Sequence, residues 1–328
     1  MIYFNICFLI ITNICVLVIS GPASTGSHSH SINKERVSDG AYIPRDAHHI
    51  ENGEHHTEFD HEAILGSTKE AEEFDHLSPE ESKKRLAILL KKMDLNGDSH
   101  IQRHELKAWI LRSFKNLSEE EAADRFEDSD LNGDNIVTWA EYVSDTYNMG
   151  DEEYLSKDSV MEEHKLMADD KVMFDAADAN KDGKLDPNEF IVFNNPEEHP
   201  QMLPIILQQT LNEKDTNKDN VIDFQEFIGD KAIHHDKEWL IVEKEKFDKE
   251  YDKNGDGVLS GNEVLSWVVP SNDEIALEEV DHLFASTDDD HDDVLSFEEI
   301  LIHYEHFVGS EATDFGEHLH NVHMSDEL

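Results

Sequence analysis

The sequence predicts an all-α protein assembled from repeated helix–loop–helix units. Acidic twelve-residue stretches begin at Asp94, Asp130, Asp178, Asp215, Asp252 and Asp288, at steps of 36, 48, 37, 37 and 36 residues. A repeat of that length marks one supersecondary unit used several times. Apolar residues flank the stretches at helical spacing, as at Leu86, Leu89, Leu90 and Met93. Helix-start signals stand at Ser78-Pro79-Glu80-Glu81 and again at Ser118-Glu119-Glu120-Glu121, where a capping serine is followed three residues on by glutamate.

Composition limits what such a protein binds. The 328 residues carry 27 Lys plus Arg against 75 Asp plus Glu, a formal charge of -48. That field repels nucleic-acid phosphates and anionic lipid heads, so no nucleic acid and no bare membrane is expected as a partner. Such acidity alone would suit a disordered chain. A hydrophobic content of 38%, with 16 Phe and 4 Trp, argues for a packed core instead. The acids then need cations.

The two ends differ from the middle. Residues 2–19 are apolar and uncharged, broken only by Asn5, Thr12 and Asn13. They read as a secretory signal peptide spanning residues 1–20, cleaved after Ser20 or Ala23, with an uncleaved anchor as the alternative. Both cysteines, Cys7 and Cys15, lie inside it, so the mature chain would have no thiol, disulfide or zinc–thiolate site. Residues 21–77 read as a disordered acidic leader rich in histidine: His28, His30, His48, His49, His55, His56, His61 and His76. Their spacing matches no fixed ligand geometry, and solvated histidine is the reading adopted over a zinc or copper site. Residues 309–328 are again polar and end in Ser325-Asp326-Glu327-Leu328.

The third acidic stretch shows the chemistry most fully. Asp178, Asn180, Asp182, Asp186 and Glu189 place oxygen side chains at positions 1, 3, 5, 9 and 12, and Lys184 at position 7 offers its backbone carbonyl. Calcium is a hard cation that takes roughly six to eight oxygens, and this spacing delivers them as the chain wraps around it. The stretch is an EF-hand loop. The first loop supplies Asp94, Asn96, Asp98, His100, Gln102 and Glu105; the second, Asp130, Asn132, Asp134, Ile136, Thr138 and Glu141. The fourth supplies Asp215, Asn217, Asp219, Val221, Asp223 and Glu226; the fifth, Asp252, Asn254, Asp256, Val258, Ser260 and Glu263; the sixth, Asp288, Asp290, Asp292, Val294, Ser296 and Glu299. In each, position 7 is predicted to ligate through its carbonyl.

Two further positions agree. Position 8 is always a branched aliphatic (Ile101, Val137, Leu185, Ile222, Leu259, Leu295), suited to a short strand joining paired loops. The residue after each glutamate is apolar (Leu106, Tyr142, Phe190, Phe227, Val264, Ile300), and Phe126, Phe174, Leu211 and Phe284 precede their loops by four residues. These should form the core. Position 6 needs a left-handed backbone, which only Gly183 and Gly257 supply freely; Ser99, Asn135, Asn220 and Asp293 stand elsewhere. The third and fifth loops therefore rank tightest and the first weakest. The longer second step suggests pairing loop one with two, three with four, and five with six, in units 78–150, 151–232 and 233–308.

A signal peptide, an acidic His-containing leader, six such loops and a KDEL-like tail resemble the CREC family, which includes the reticulocalbins, calumenin and the 45 kDa calcium-binding protein. The resemblance covers nearly the whole chain and is nearest to a reticulocalbin. It implies a low-affinity Ca2+ binder of the endoplasmic reticulum lumen and secretory pathway that assists client proteins. It also implies a retrieval receptor reading the C-terminal tail, although Ser325 replaces the usual basic residue. Asn116-Leu117-Ser118 is an N-glycosylation acceptor expected on a surface loop.

No nucleophile elbow, phosphate loop or HExxH helix is present, so the chain is expected not to be an enzyme. Two functions stay open: a calcium-dependent binder of client proteins, and a passive buffer. Six calcium ions would still leave a charge of about -36. In a calcium-rich lumen useful affinities fall at roughly 10⁻⁴ to 10⁻³ M.

Overall fold

A computed structural model describes residues 41–47, 49–51, 54–55, 57–147, 157–229 and 236–308. The expected signal peptide and the C-terminal tail lie outside the described residues. The described chain is all-α apart from eight two-residue strands.

Order begins earlier than Ser78. After β1 (Ile50–Glu51) and β2 (Glu54–His55) come α1 (Glu58–Leu65) and α2 (Thr68–Asp75). Gly66 ends α1 at φ 68°, and Ser67 caps α2 by accepting from the Glu70 amide. A Cβ on Gly66 would sit 3.0 Å from the Ser113 backbone, so only glycine permits that approach. Ala63, Ile64, Ala71 and Phe74 are buried. The expectation of a disordered leader through residue 77 is therefore corrected. The leader is polar on average, but one face of each helix carries enough apolar surface to join a core.

The hands follow in order. The first has α3 (Pro79–Met93), β3 (His100–Ile101) and α4 (Arg103–Ser129); the second adds β4 (Val137–Thr138) and α5 (Trp139–Tyr147). The third has α6 (Lys157–Ala177), β5 (Lys184–Leu185) and α7 (Pro187–Asn194). The fourth has α8 (Leu203–Lys214), β6 (Ile222–Asp223) and α9 (Phe224–Ile228). The fifth has α10 (Lys237–Lys246), continued by a π-helical turn Phe247–Tyr251, then β7 (Val258–Leu259) and α11 (Asn262–Val268). The sixth has α12 (Asn272–Thr287), β8 (Leu295–Ser296) and α13 (Phe297–Ile302), with α14 (Glu305–Val308) behind it.

The loops pair, but not as consecutive pairs from the first. Antiparallel ladders join β3 to β8, β4 to β5 and β6 to β7. Hand one pairs with six, two with three, and four with five. The position 8 residues face each other in every ladder: Ile101 opposite Leu295, Val137 opposite Leu185, Ile222 opposite Leu259. All six are fully buried.

Helix α4 explains the correction. It is a continuous 27 residues, serving as the exit of hand one and the entry of hand two. At ~1.5 Å per residue it spans about 40 Å and holds loops one and two at opposite ends. The helix start read at Ser118 is absent: Ser118 is buried and its hydroxyl donates back to the Phe114 carbonyl at 3.1 Å. Asn116 is exposed on this helix, not on a loop.

Two cores result. One gathers hands one and six with α1 and α2, around Leu86, Met93, Phe114, Phe284 and Phe307; the other gathers hands two to five around Phe174, Phe193, Phe247 and Trp267. Helix α4 gives Leu106 to Leu117 to the first and Phe126 to the second. Every apolar residue following a loop glutamate is buried. Phe126, Phe174 and Phe284 are buried too, while Leu211 packs half-buried against the second core.

Candidate calcium centres

Each loop is organised by its two terminal acids. In loop three, Asp178 Oδ1 accepts from the amides of Lys181 (2.7 Å) and Asp182 (3.2 Å), and Oδ2 from Gly183 (2.8 Å). Asn180 Oδ1 accepts from the Asp182 amide at 2.8 Å and Asp182 Oδ1 from the Lys184 amide at 3.0 Å. The same frame recurs around Asp94, Asp130, Asp215 and Asp252. In loops one, three and five the position 3 asparagine oxygen also accepts from the position 5 amide.

The closing glutamate comes from the exit helix. Its Oε2 accepts from the position 9 amide in all six loops, at 2.8 to 3.1 Å. Position 9 in turn caps that helix: Asp186 accepts from Asn188 and Glu189, Asp223 from Gln225 and Glu226, and Ser296 from Glu299. A residue so occupied would reach a cation through water, a recurrent arrangement at this position. Position 7 stands in or beside each short strand, with its amide donating to the position 5 carboxylate in all six loops.

The donor set fits calcium on several counts. Positions 1, 5 and 12 are carboxylates throughout and position 3 offers an asparagine or aspartate oxygen, although in loop two the Asn132 side-chain amide donates to Glu141 at 2.5 Å. Carboxylate oxygens of Asp215, Asp219 and Glu226, and of Asp288, Asp290 and Glu299, lie within 4.8 Å of one another. Asp288 Oδ1 is buried with no hydrogen-bond partner among the described residues, a lone acceptor that a cation would satisfy. The Thr138 hydroxyl and amide hold Glu141 below the usual carboxylate range. At Glu299 burial pushes upward, but the Ser296 hydroxyl and loop amides outweigh it and hold the carboxyl low. The His100 amide does the same for Asp98. These groups are anionic at neutral pH.

The structure adds a position that the sequence reading missed. Left-handed backbone occurs at position 4 as well as position 6. Gly97, Gly133 and Gly255 supply it at position 4, whereas Lys181 (φ 62°), Lys218 (φ 63°) and His291 (φ 60°) do so without glycine. At position 6, Ser99, Asn135, Asn220 and Asp293 take φ of 60° to 65°. Loop five has glycine at both places, loop three at one, and loops four and six at neither. Backbone strain is therefore greatest in loops four and six. Glycine at 97 and 133 was the available signal.

The EF-hand domain pair family matches residues 167–229 and 244–305. Across the longer chain, the sequence is similar to reticulocalbin-2 of Crotalus adamanteus, 40% identical over 277 residues, covering 82% of this chain and 90% of that protein. The chain belongs to the reticulocalbin family. Reticulocalbin-2 of Mus musculus is 39% identical over 289 residues, covering 85% and 90%, and reticulocalbin-3 of Mus musculus 35% over 303, covering 90% and 91%. This family member is a calcium-binding EF-hand protein. The matched domain pairs join hands three with four and five with six in chain order. The ladders join four with five instead, and the paired, fully buried position 8 residues make the ladders the physical pairing.

Proposed function

We propose that this chain binds Ca2+ through all six loops, with low affinity, in the endoplasmic reticulum lumen and secretory pathway. The recurrence of one ligand frame in five loops, with the same closing glutamate and position 5 contacts in the sixth, closed into three ladders, carries the reading. The ligands are positions 1, 3, 5 and 12 of each loop, with the position 7 carbonyl. The chain acts by binding, not by catalysis. Binding releases the repulsion of crowded carboxylates and so contributes folding energy. Calorimetric calcium titration with circular dichroism tests this: six ions are expected, and fewer than four would overturn it.

The apolar segment 2–19 and the Ser-Asp-Glu-Leu tail support entry into the lumen and retrieval by a receptor. Secretion of the full chain should rise when the last four residues are removed. Unchanged secretion would refute retrieval. Asn116 is exposed and open to glycosylation before the helix folds around Ser118; loss of a mobility shift in Asn116→Gln would reveal it.

The chain also engages basic clients among lumenal or secreted proteins through its residual negative charge. Large exposed apolar residues such as Ile88, Leu131, Val172 and Ile241 stand on separate elements, which favours charge over an opened apolar groove. A calcium-dependent rise in binding of an apolar-surface dye would argue for a groove. Failure to bind basic polypeptides at any calcium level would leave a passive buffer.

A further inference from the structure

We propose that His49, Asp60 and His282, with the buried carboxylate Glu279 beside them, form a site for a zinc-class divalent cation, separate from the six calcium loops. The site joins three parts of the chain: the segment before β1, helix α1 and helix α12.

The ligand atoms are close and mixed in type. His49 Nε2 lies 2.7 Å from Asp60 Oδ1, and His282 Nε2 lies 3.6 Å from Asp60 Oδ2. The three groups have ligand atoms all within 4.8 Å of one another. Zinc bonds of about 2.0–2.2 Å in tetrahedral geometry set neighbouring ligands ~3.3 Å apart, and the two observed separations bracket that value. The imidazoles meet edge to face, with centroids 5.4 Å apart, and are not stacked.

Burial supplies the second observation. Asp60 is completely buried and Glu279 is 2% exposed. Neither Glu279 oxygen receives a hydrogen bond from a described group. Glu279 and His282 are three residues apart on α12, hence on one face. Two buried acids, Asp60 and Glu279, thus crowd one place, and burying two like charges together is costly without a cation between them. A dication would balance both carboxylates with the imidazoles neutral.

Chemistry selects the metal class. Two imidazole nitrogens with carboxylate oxygens suit zinc and its transition-metal neighbours, whereas calcium takes oxygen ligands. The backbone holds His49 in place: its amide donates to Asp46 at 3.0 Å, Arg45 pairs with Glu198 at 2.8 Å, and the Tyr42 amide donates to the Val268 carbonyl at 2.9 Å. Metal there would tie the N-terminal segment to hand six, next to the ladder that closes hand one on hand six.

The test titrates Zn2+ by calorimetry into the full chain held in saturating calcium, with Co2+ substitution read by visible absorption. One tight zinc per chain and an intense tetrahedral cobalt spectrum are expected. His282→Ala and His49→Ala should each weaken that binding at least ~100-fold, more than the usual effect of a supporting residue, while the calcium stoichiometry stays unchanged. His282→Gln, closer in size, serves if the alanine variant alters the circular dichroism. Absence of stoichiometric zinc binding would overturn the proposal. So would binding indifferent to position 282, which would assign the metal to the other leader histidines.

Discussion

Replacing Gly255 by alanine isolates the backbone cost of the fourth loop position. Gly255 holds φ 74°, and a Cβ placed there meets nothing within 4 Å. No clash therefore contributes; an L-residue must simply enter the left-handed region. That costs about 1–2 kcal/mol, and the stiffer unfolded chain returns about 0.4–1 kcal/mol. The net is about 1 kcal/mol, or about fivefold in calcium affinity when metal imposes the loop shape. In thermal unfolding at saturating calcium it corresponds to about 2 °C in Tm. Lys218 is the reciprocal case: it holds φ 63° and its side chain is exposed. Lys218→Gly should tighten loop four by a comparable factor, and Lys218→Ala controls for the lost charge. Calorimetric titration and thermal circular dichroism read both. Gly255→Ala within about 1.5-fold of the parent in affinity, with unchanged Tm, would refute the strain account, as would Lys218→Gly binding no tighter than Lys218→Ala.

Deleting residues 270–328 removes hand six and should destabilise hand one, not hand five's partner. Proteolysis should then cut within α3 while hands two to five resist, whereas sequential pairing would leave hand one intact. Ile101→Ala removes a fully buried residue from the same ladder and should cost about 2–5 kcal/mol in denaturant unfolding. Chelating calcium should lower stability by about 2.7 kcal/mol for each site previously held at 100-fold over its Kd, seen as a calcium-dependent Tm. Tyr142→Phe removes one of two phenols that donate to buried Asp170, at 2.9 Å from Tyr142 and 2.5 Å from Tyr147. Burial raises the Tyr142 phenol well above its ordinary value, so it stays a donor at neutral pH, and its loss should cost about 1–3 kcal/mol.

The loops were legible because calcium chemistry fixes residue type and spacing within twelve residues. Asp at the first position and Glu at the last can be read one loop at a time, and so can the position 8 aliphatics that became the ladder contacts. Pairing is not local in that sense. Ser118-Glu119-Glu120-Glu121 has the letters of a helix start, yet Phe114 and Leu117 on one side and Ala122 and Phe126 on the other are all buried. Their packing carries α4 straight through. The serine hydroxyl finds the Phe114 carbonyl and the Glu198 carboxylate (2.9 Å) instead of capping. Helices α1 and α2 were obscured by averaging: the histidines and glutamates of residues 54–76 mask Ala63, Ile64, Ala71 and Phe74. Gly66-Ser67 was the local signal, an end and a start side by side.

Ring-like pairing changes what calcium binding can do. With hands paired in chain order, each pair would respond alone. Here the 27-residue α4 belongs to hands one and two at once and to both cores, and hand one closes on hand six. Metal that orders loop six, whose Asp288 has a buried oxygen without a partner among the described residues, also orders the strand opposite Ile101. Through α4 that order reaches loop two and, across the β4–β5 ladder, loop three. The Arg103 side chain reinforces the closure, bridging Asp293 at 2.6 Å and Asp281 at 2.5 Å. Asp293 is also a non-glycine residue in the left-handed region of loop six. Arg103→Ala should therefore weaken loop six, to which it contributes no ligand, and a calcium isotherm identical to the parent's would show that the hands act independently.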